Sequence, residues 1–413
     1  MHYTVGRVRA AFTVLNAKAS LGETMKTIQS SVIACLVVAG VNGCSGPDAA
    51  EPTGNAGQDL RVGQHDHIVQ VLSQTNLVSD QPGVAAHTDT NLVNAWGLAF
   101  NPNGPAWVSD NEPGLASVFD STGNTLLTVT LPVQGSVAPT GQVFNGDATA
   151  FHGDRFIIAS EDGTVVGWQP NVGAQTRVTS TTGAVYKGLA TALVDGHPRL
   201  YLADFHNNRI DVFDANYAPI TTSSERFEDD HLPDHYAPFN IVTHDNALYV
   251  AYALQKLPEA KDDDAGAGHG FVDVYSTRGR LRQRLISRGA LNSPWGMAFT
   301  PDDFGHISDR LLVGNFGDGH INVYRAPTCQ SGDYERVWHS DRDRDCDRDD
   351  GAQFIGAIGS DRHHALVIDG LWALVFGPDA GGSNSHQLYF TAGPDDESHG
   401  LFGRLEVPSH DDW

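Results

Sequence analysis

Six times between residues 96 and 376 the chain repeats one ordered pattern of short strands, and this repeat constrains the fold more than any other feature. The first strand carries a small or amide residue near its start: WGLAF at 96–100, DATAF at 147–151, KGLAT at 187–191, FNIVT at 239–243, WGMAF at 295–299 and WALVF at 372–376. A second strand follows in each copy (AWVSD, RFIIAS, RLYLAD, ALYVAY, RLLVGN, QLYFTA), then a polar turn and a third (ASVFD, TVVGW, RIDVFD, GFVDVY, HINVYR, GLFGRL). The marking residues Gly97, Ala148, Gly188, Asn240, Gly296 and Ala373 stand 51, 40, 52, 56 and 77 positions apart.

Short strands alternating with turns, and no convincing helical period, predict an all-β fold. Repeats of about 40–50 residues with several strands each predict a β-propeller, in which every blade buries its faces against its neighbours. Six copies predict a six-bladed β-propeller; a pair of β-sandwiches would leave one pattern written six times unexplained. The segment HIVQVLSQTNLV at 67–78 precedes the first copy. It is expected to pair with the last blade, closing the ring and covering an exposed edge.

The charge narrows the function. With 26 basic and 50 acidic residues the formal charge is −24. Phosphate binding needs a Lys/Arg surface, so nucleic acid is excluded as a partner, whereas cations are attracted. The N-terminus predicts an address. From Met25 the chain reads MKTIQSSVIACLVVAGVNGCSG, a lone Lys26 before an apolar run at 32–41 that is too short to span a bilayer but suits a signal-peptide core. Its end is similar to a bacterial lipoprotein signal, with Cys44 as the lipidated residue, although Asn42 stands where a small residue is usual. The expected organisation is a mis-assigned upstream start over 1–24, a signal peptide over 25–44, a flexible linker over 45–66 and a propeller over 67–413 with an insertion at 327–368. Removing the leader leaves 22 basic against 49 acidic residues. Cys329 and Cys346 then remain in the exported part and are expected to pair, closing a loop of about 17 residues and stabilising by about 3 kcal/mol.

The stretch YLADFHNNRIDVFD at 201–214 resembles an NHL-type propeller repeat, whose strand–Asp–turn–Asn–Arg–strand pattern fits Asp204, Asn208 and Arg209. Short carboxylates and amides in turns bond their own backbone, so this unit reads as scaffold. Over nearly the whole mature length the chain is also similar to a family of exported bacterial six-bladed propellers. The passages NLVSDQPGVA, TNLVNAWGLAF, ASEDGTVVGW, GAVYKGLA, GFVDVYSTRGRL, LLVGNFGDGHINVY and LYFTAGPDDESHGLFG carry that resemblance. It implies a fold and a location rather than a reaction.

Propellers place function at the mouth of the central channel, where the loops entering the innermost strands converge. The polar residues there are Asn94, Asp147, Lys187, Asn240 and Asp369. The two amides and two carboxylates among them would suit Ca²⁺, a hard cation that takes oxygen ligands. That set resembles the metal site of six-bladed lactonases of the gluconolactonase type, with Asn94 nearest the place of that family's glutamate. Trp96, Trp295 and Trp372 recur at one slot, either to stack on a sugar together with Lys187 or as core between blades. His399, beside Glu397, is the best single acid/base candidate. The run SDRDRDCDRDDG at 340–351 echoes a calcium loop but lacks its glycine at the required place, and its arginines offset its carboxylates.

These features predict an extracytoplasmic module that binds a small molecule, a glycan or an envelope protein, touching the membrane only through a lipid anchor. The alternative is a Ca²⁺-dependent hydrolase acting on a lactone or sugar-derived ester.

Overall fold

The computed structural model describes residues 67–132, 138–223, 226–327 and 351–408. Among them lie six sheets, each the blade of a propeller. The innermost strands, in chain order, are Ala95–Phe100, Pro139–Phe144, Tyr186–Val194, Tyr236–His244, Pro294–Phe299 and Leu371–Phe376. Each packs against the next around the axis, and the sixth packs against the first. From each of these strands the chain steps outward through antiparallel partners. Blade 3 has three strands, blades 1, 2 and 4 have four, and blades 5 and 6 have five. The starts of the innermost strands meet at one end of the axis, here called the mouth, and their hairpins to the second strands lie at the other.

The glycine near the start of the innermost strand in blades 1, 3 and 5 is required by the neighbouring strand. A Cβ on Gly97 would sit 2.2 Å from the carbonyl oxygen of Thr140, and one on Gly188 would sit 2.2 Å from Asn240 Oδ1. This contact also corrects the second repeat. Its innermost strand is Pro139–Phe144 (PTGQVF), so the marking residue is Gly141, not Ala148. DATAF is a turn running into a short 3₁₀ segment, Phe151–Gly153. A strand carrying Pro and Gly reads poorly by propensity, but its place is fixed by close approach to Gly97 and Gly188.

Ring closure uses two strands rather than one. Ser73–Ser79 pairs antiparallel with Leu401–Glu406 of blade 6, with Ser73 opposite Glu406. Ile68–Val71 instead joins blade 5, parallel to Gln353–Gly359. That second pairing shows that 353–359, placed within the insertion by sequence, is the fourth strand of blade 5. The proposed leader, Cys44, the linker, Cys329, Cys346 and the Asp/Arg run at 340–350 lie outside the described residues.

The turn at 204–209 is built as its sequence predicts. Asp204 is fully buried. It accepts the backbone N–H of Val185 at 3.3 Å and of Asn207 at 3.2 Å, and the Asn207 side chain at 2.8 Å. Arg209 lies 3.3 Å from the same carboxylate. Asp204→Ala removes the acceptor of two backbone N–H groups, that of Val185 buried and that of Asn207 part-buried, and is expected to cost about 1–3 kcal/mol in denaturant unfolding, with Asp204→Asn recovering part of the loss. A cost below about 0.5 kcal/mol would mean that water replaces the carboxylate without penalty.

Candidate functional site

One residue before the small slot, each innermost strand points a side chain at the axis. In chain order these are Trp96, Thr140, Lys187, Phe239, Trp295 and Trp372. The aromatic members fill the channel. Trp372 stacks between Trp96 and Phe316 at ring-centroid distances of 3.7 and 3.9 Å, while Trp295 meets Trp372 edge-on at 5.9 Å and Phe239 lies at 5.9 Å. Trp96, Trp295 and Trp372 are 1%, 4% and 1% exposed. Two indole N–H groups are satisfied, Trp372 by Asn94 Oδ1 at 2.9 Å and Trp295 by the Lys187 carbonyl at 3.3 Å. These rings have no free face for a sugar. Of the two roles open to the tryptophans, core between blades is the one their packing fits: they form a plug, because at the axis each ring has another blade's ring above or beside it.

A second ring of residues lies over the plug. In five blades it comes from the position just after the second strand, Asn111, Glu161, Phe205, Phe316 and Gly393, while in blade 4 the second strand runs on to Leu254 and Ala253 holds the equivalent place within it. Five of these positions are held the same way. The backbone N–H groups of Asn111, Glu161, Phe205, Phe316 and Gly393 donate to the carbonyls of Asn94, Ala138, Val185, Ser293 and Gly370, at 2.9–3.2 Å. Asn94, Ser293 and Gly370 occupy equivalent places ahead of their innermost strands, with φ of 48°, 46° and 62°. Left-handed backbone at a non-glycine residue is costly and persists where the surroundings impose it.

Lys187 is the one cation in the plug and is 3% exposed. Its ammonium bonds Glu161, lies 3.8 Å from Asp262 and sits 4.9 Å from the centre of the Trp96 ring. Burial works against its charge. The charge and hydrogen bond of Glu161, with Asp262 and Glu397 behind, outweigh burial and raise its pKa. Glu397, from the last turn of blade 6, is pushed up to about 7, first by burial and then by the repulsion of Glu161, Asp263 and Asp262, with Lys187 pulling the other way. Asp263 is raised as well, chiefly by burial. An amide relay ties the group together: Asn94 Nδ2 donates to Asn111 Oδ1 at 3.2 Å and to Glu397 Oε2 at 3.3 Å, and Asn111 Nδ2 donates to Glu161 Oε2 at 3.5 Å.

Of the residues expected to bind or react, Asn94 and Lys187 belong to this cluster. Asp369 lies on the rim of the mouth, where Oδ2 accepts the N–H of Asp395 at 2.9 Å. Asp147 does not join them. It lies in the connection between Phe144 and Phe156 at the opposite end of the axis, capping its own turn through Thr149 at 2.7 and 2.8 Å. Asn240 spends its amide on the Trp295 carbonyl and the N–H of Ile241, both at 2.8 Å. The four oxygen-bearing residues therefore do not form one shell. Among the described residues no group of three or more His, Cys, Asp or Glu side chains is placed to hold a metal ion. His399 Nδ1 faces Asp80 Oδ2 at 2.7 Å, and its backbone carbonyl accepts the Asn94 N–H at 3.0 Å. That pairing aims its ring at Asp80 and fastens the closing turn.

The sequence reading missed Glu161, Asp262, Asp263 and Ser293. In the repeat pattern the second strands AWVSD, RFIIAS, RLYLAD and RLLVGN end at Asp110, Ser160, Asp204 and Asn315. The residues at the mouth come one position later, and shifting the alignment by one would have shown Asn111, Glu161, Phe205 and Phe316.

These features define a class: a six-bladed propeller with a plugged channel and a cup of carboxylates around one buried lysine at its mouth. No family profile matches the chain. It is 31% identical to uncharacterized protein R648 of Acanthamoeba polyphaga mimivirus over 347 residues, 80% of this chain and 78% of that one. It is 30% identical to uncharacterized protein L690 of the same virus over 351 residues, 80% of this chain and 84% of that one. The chain belongs to the family these two proteins represent. Both are viral where the motifs suggested a bacterial family, and neither bacterial origin nor export follows from them. Among solved structures, a virginiamycin B lyase from Staphylococcus aureus superposes with a TM-score of 0.48 at 10% identity, over 82% of this chain and 99% of that one. That likeness is too remote to bear on activity.

Proposed function

We propose that the protein is a ligand-binding propeller, exported to the cell envelope as its leader implies, whose ligand sits in the carboxylate cup at the mouth. One observation carries this reading: a single buried ammonium, Lys187, faces the carboxyls of Glu161, Asp262, Asp263 and Glu397, more than it can neutralise. Asp263 and Glu397 are the buried members, and burial without a full complement of positive charge raises the pKa of each, a cost to folding that a bound ligand would offset. The alternative of a calcium-dependent hydrolase has lost its ligand set, because Asp147 stands at the far end of the axis.

The test is a thermal-shift panel on the purified protein with calcium, alkyl amines, neutral sugars and organic acids. The same panel is run on an Asp262→Ala, Glu397→Ala variant. At least one compound is expected to raise the Tm of the parent and not of the variant. No shift with any of them, or shifts that survive the double substitution, would overturn the reading.

A further inference from the structure

We infer that two copies of the protein pair through the outer edge of blade 1, strand Thr125–Thr130, antiparallel across a two-fold axis. A sheet edge presents a row of N–H and C=O groups that another strand can bond, and proteins guard such edges with charge, short length or a covering segment. Among the described residues, five of the six blades do so. The outermost strands of blades 2, 3 and 4 bear Arg177, Arg209 with Asp211 and Asp214, and Arg282 with Arg284. Those of blades 5 and 6, Ile68–Val71 and His87–Thr88, have four residues and two. Blade 1 ends on six residues, TLLTVT, without a charge. Among the described residues their backbone groups bond only the neighbouring strand, Leu115–Phe119.

The side chains agree with an edge built for contact. Five of the six residues are exposed, and Val129 alone is buried. Leu126 is 57% exposed and Leu127 is 42% exposed. They stand together because Leu126 is the extra residue of a bulge: Val118 lies opposite Leu127, and Phe119 lies opposite Thr125. Beyond the bulge, residues 127–130 keep a regular register with 115–118, which leaves a regular outer edge for a partner strand.

Charge selects the occupant. The chain is −24 overall, so two copies repel over most of their surface. Residues 121–146 hold no charged side chain in a chain that is 18% charged, so at this edge two acidic molecules meet without apposing like charges. A basic partner would be drawn to the acidic remainder of the surface instead. The edge is also self-complementary, as a two-fold contact requires, since threonine and leucine meet threonine and leucine. Antiparallel pairing keeps the flanking acids apart. Asp120, in the turn before the strand, and Asp89, which accepts the Thr125 hydroxyl at 2.9 Å, both stand at its start. In an antiparallel pair that start lies opposite the uncharged end of the other strand, whereas a parallel pair would set each acid against its own copy.

The decisive experiment is sedimentation velocity on the purified full-length protein over about 1–200 µM, in about 0.15 M and about 0.5 M salt. A monomer–dimer equilibrium is expected. It should be no weaker at high salt, because screening reduces repulsion and breaks no ion pair across the edge. Lysine is a residue that guards sheet edges, so Leu127→Lys and Thr128→Lys are each expected to weaken the dimer about tenfold or more. Both side chains are exposed, and the threonine variant keeps the test open should the leucine variant fold poorly. Leu193→Lys, beside the far-end hairpin of blade 3 where the leucine is 56% exposed, should leave the dimer unchanged, which distinguishes this edge from general apolar association. A protein that stays monomeric over the whole range overturns the inference and leaves the edge to another occupant. A dimer that persists in both edge variants, or that Leu193→Lys weakens equally, overturns it as well. So does association that continues beyond two copies, which a closed two-fold contact does not allow.

Discussion

Trp372→Ala is expected to destabilise the protein by about 3–5 kcal/mol in denaturant unfolding, the cost of removing a large buried aromatic and leaving its cavity. Trp372 is 1% exposed, lies between the rings of Trp96 and Phe316, and bonds Asn94 Oδ1 through its indole N–H. The cavity has little means of collapse, because the surrounding rings are mounted on other blades, Trp96, Phe239 and Trp295 on innermost strands and Phe316 just after a second strand. Moving any one of them inward means moving a blade. Truncation also leaves Asn94 Oδ1 without its donor, in the residue that holds Glu397 and Asn111. Trp372→Phe keeps part of the stack and should cost about half as much. If alanine cost less than about 1 kcal/mol, the axis would not be the packed core described here.

Lys187→Met should be comparably severe, about 3–5 kcal/mol at pH 8, since removing one partner of a buried ion pair leaves the other charge uncompensated. Two controls separate charge from packing. Adding Glu161→Gln to the variant should recover a good part of the loss, because no bare carboxylate then remains against the plug. Lowering the pH should recover it as well. Glu397, raised from 4.5 to about 7 in the folded protein, binds its proton more tightly than in the unfolded chain. Its contribution to stability is therefore full below pH 4.5 and lost as the pH rises through about 7. Without Lys187, which pulls that pKa down, the loss at alkaline pH deepens and the gap between variant and parent narrows toward pH 5.5. A gap that stayed constant from pH 5.5 to 8 would sink the electrostatic account.

Asp273 in blade 4 adds to the same trend in the parent. It is fully buried, and burial followed by the charge of Asp229 raises it to about 7, against the pull of Arg284. The parent should therefore lose stability steadily between about pH 5 and 8.

Much of the propeller was legible because each blade announces itself locally. In RLYLAD and RIDVFD the alternation, the β-branched and aromatic residues and the turn between them lie within a few positions of one another. Blade 2 escaped for a local reason too, as PTGQVF lacks the propensity of a strand while DATAF mimics one. The candidate site was legible only in part. Asn94 and Lys187 were found because loops ahead of innermost strands converge in any propeller. Asp147 was misplaced as a direct result of the blade 2 misreading, which put it at the wrong end of the axis.

Short-range pattern was enough for the fold class, the number of blades and the turn built on Asp204, since each of these is written within a few positions of the chain. Only the tertiary structure decided that Trp96, Trp295 and Trp372 form a plug and that Glu161, Lys187, Asp262, Asp263, Ser293 and Glu397 share one cup. Those residues come from all six blades and are separated by up to 301 positions in the chain, from Trp96 to Glu397. No local pattern encodes which side chains meet on an axis that exists only once the ring has closed.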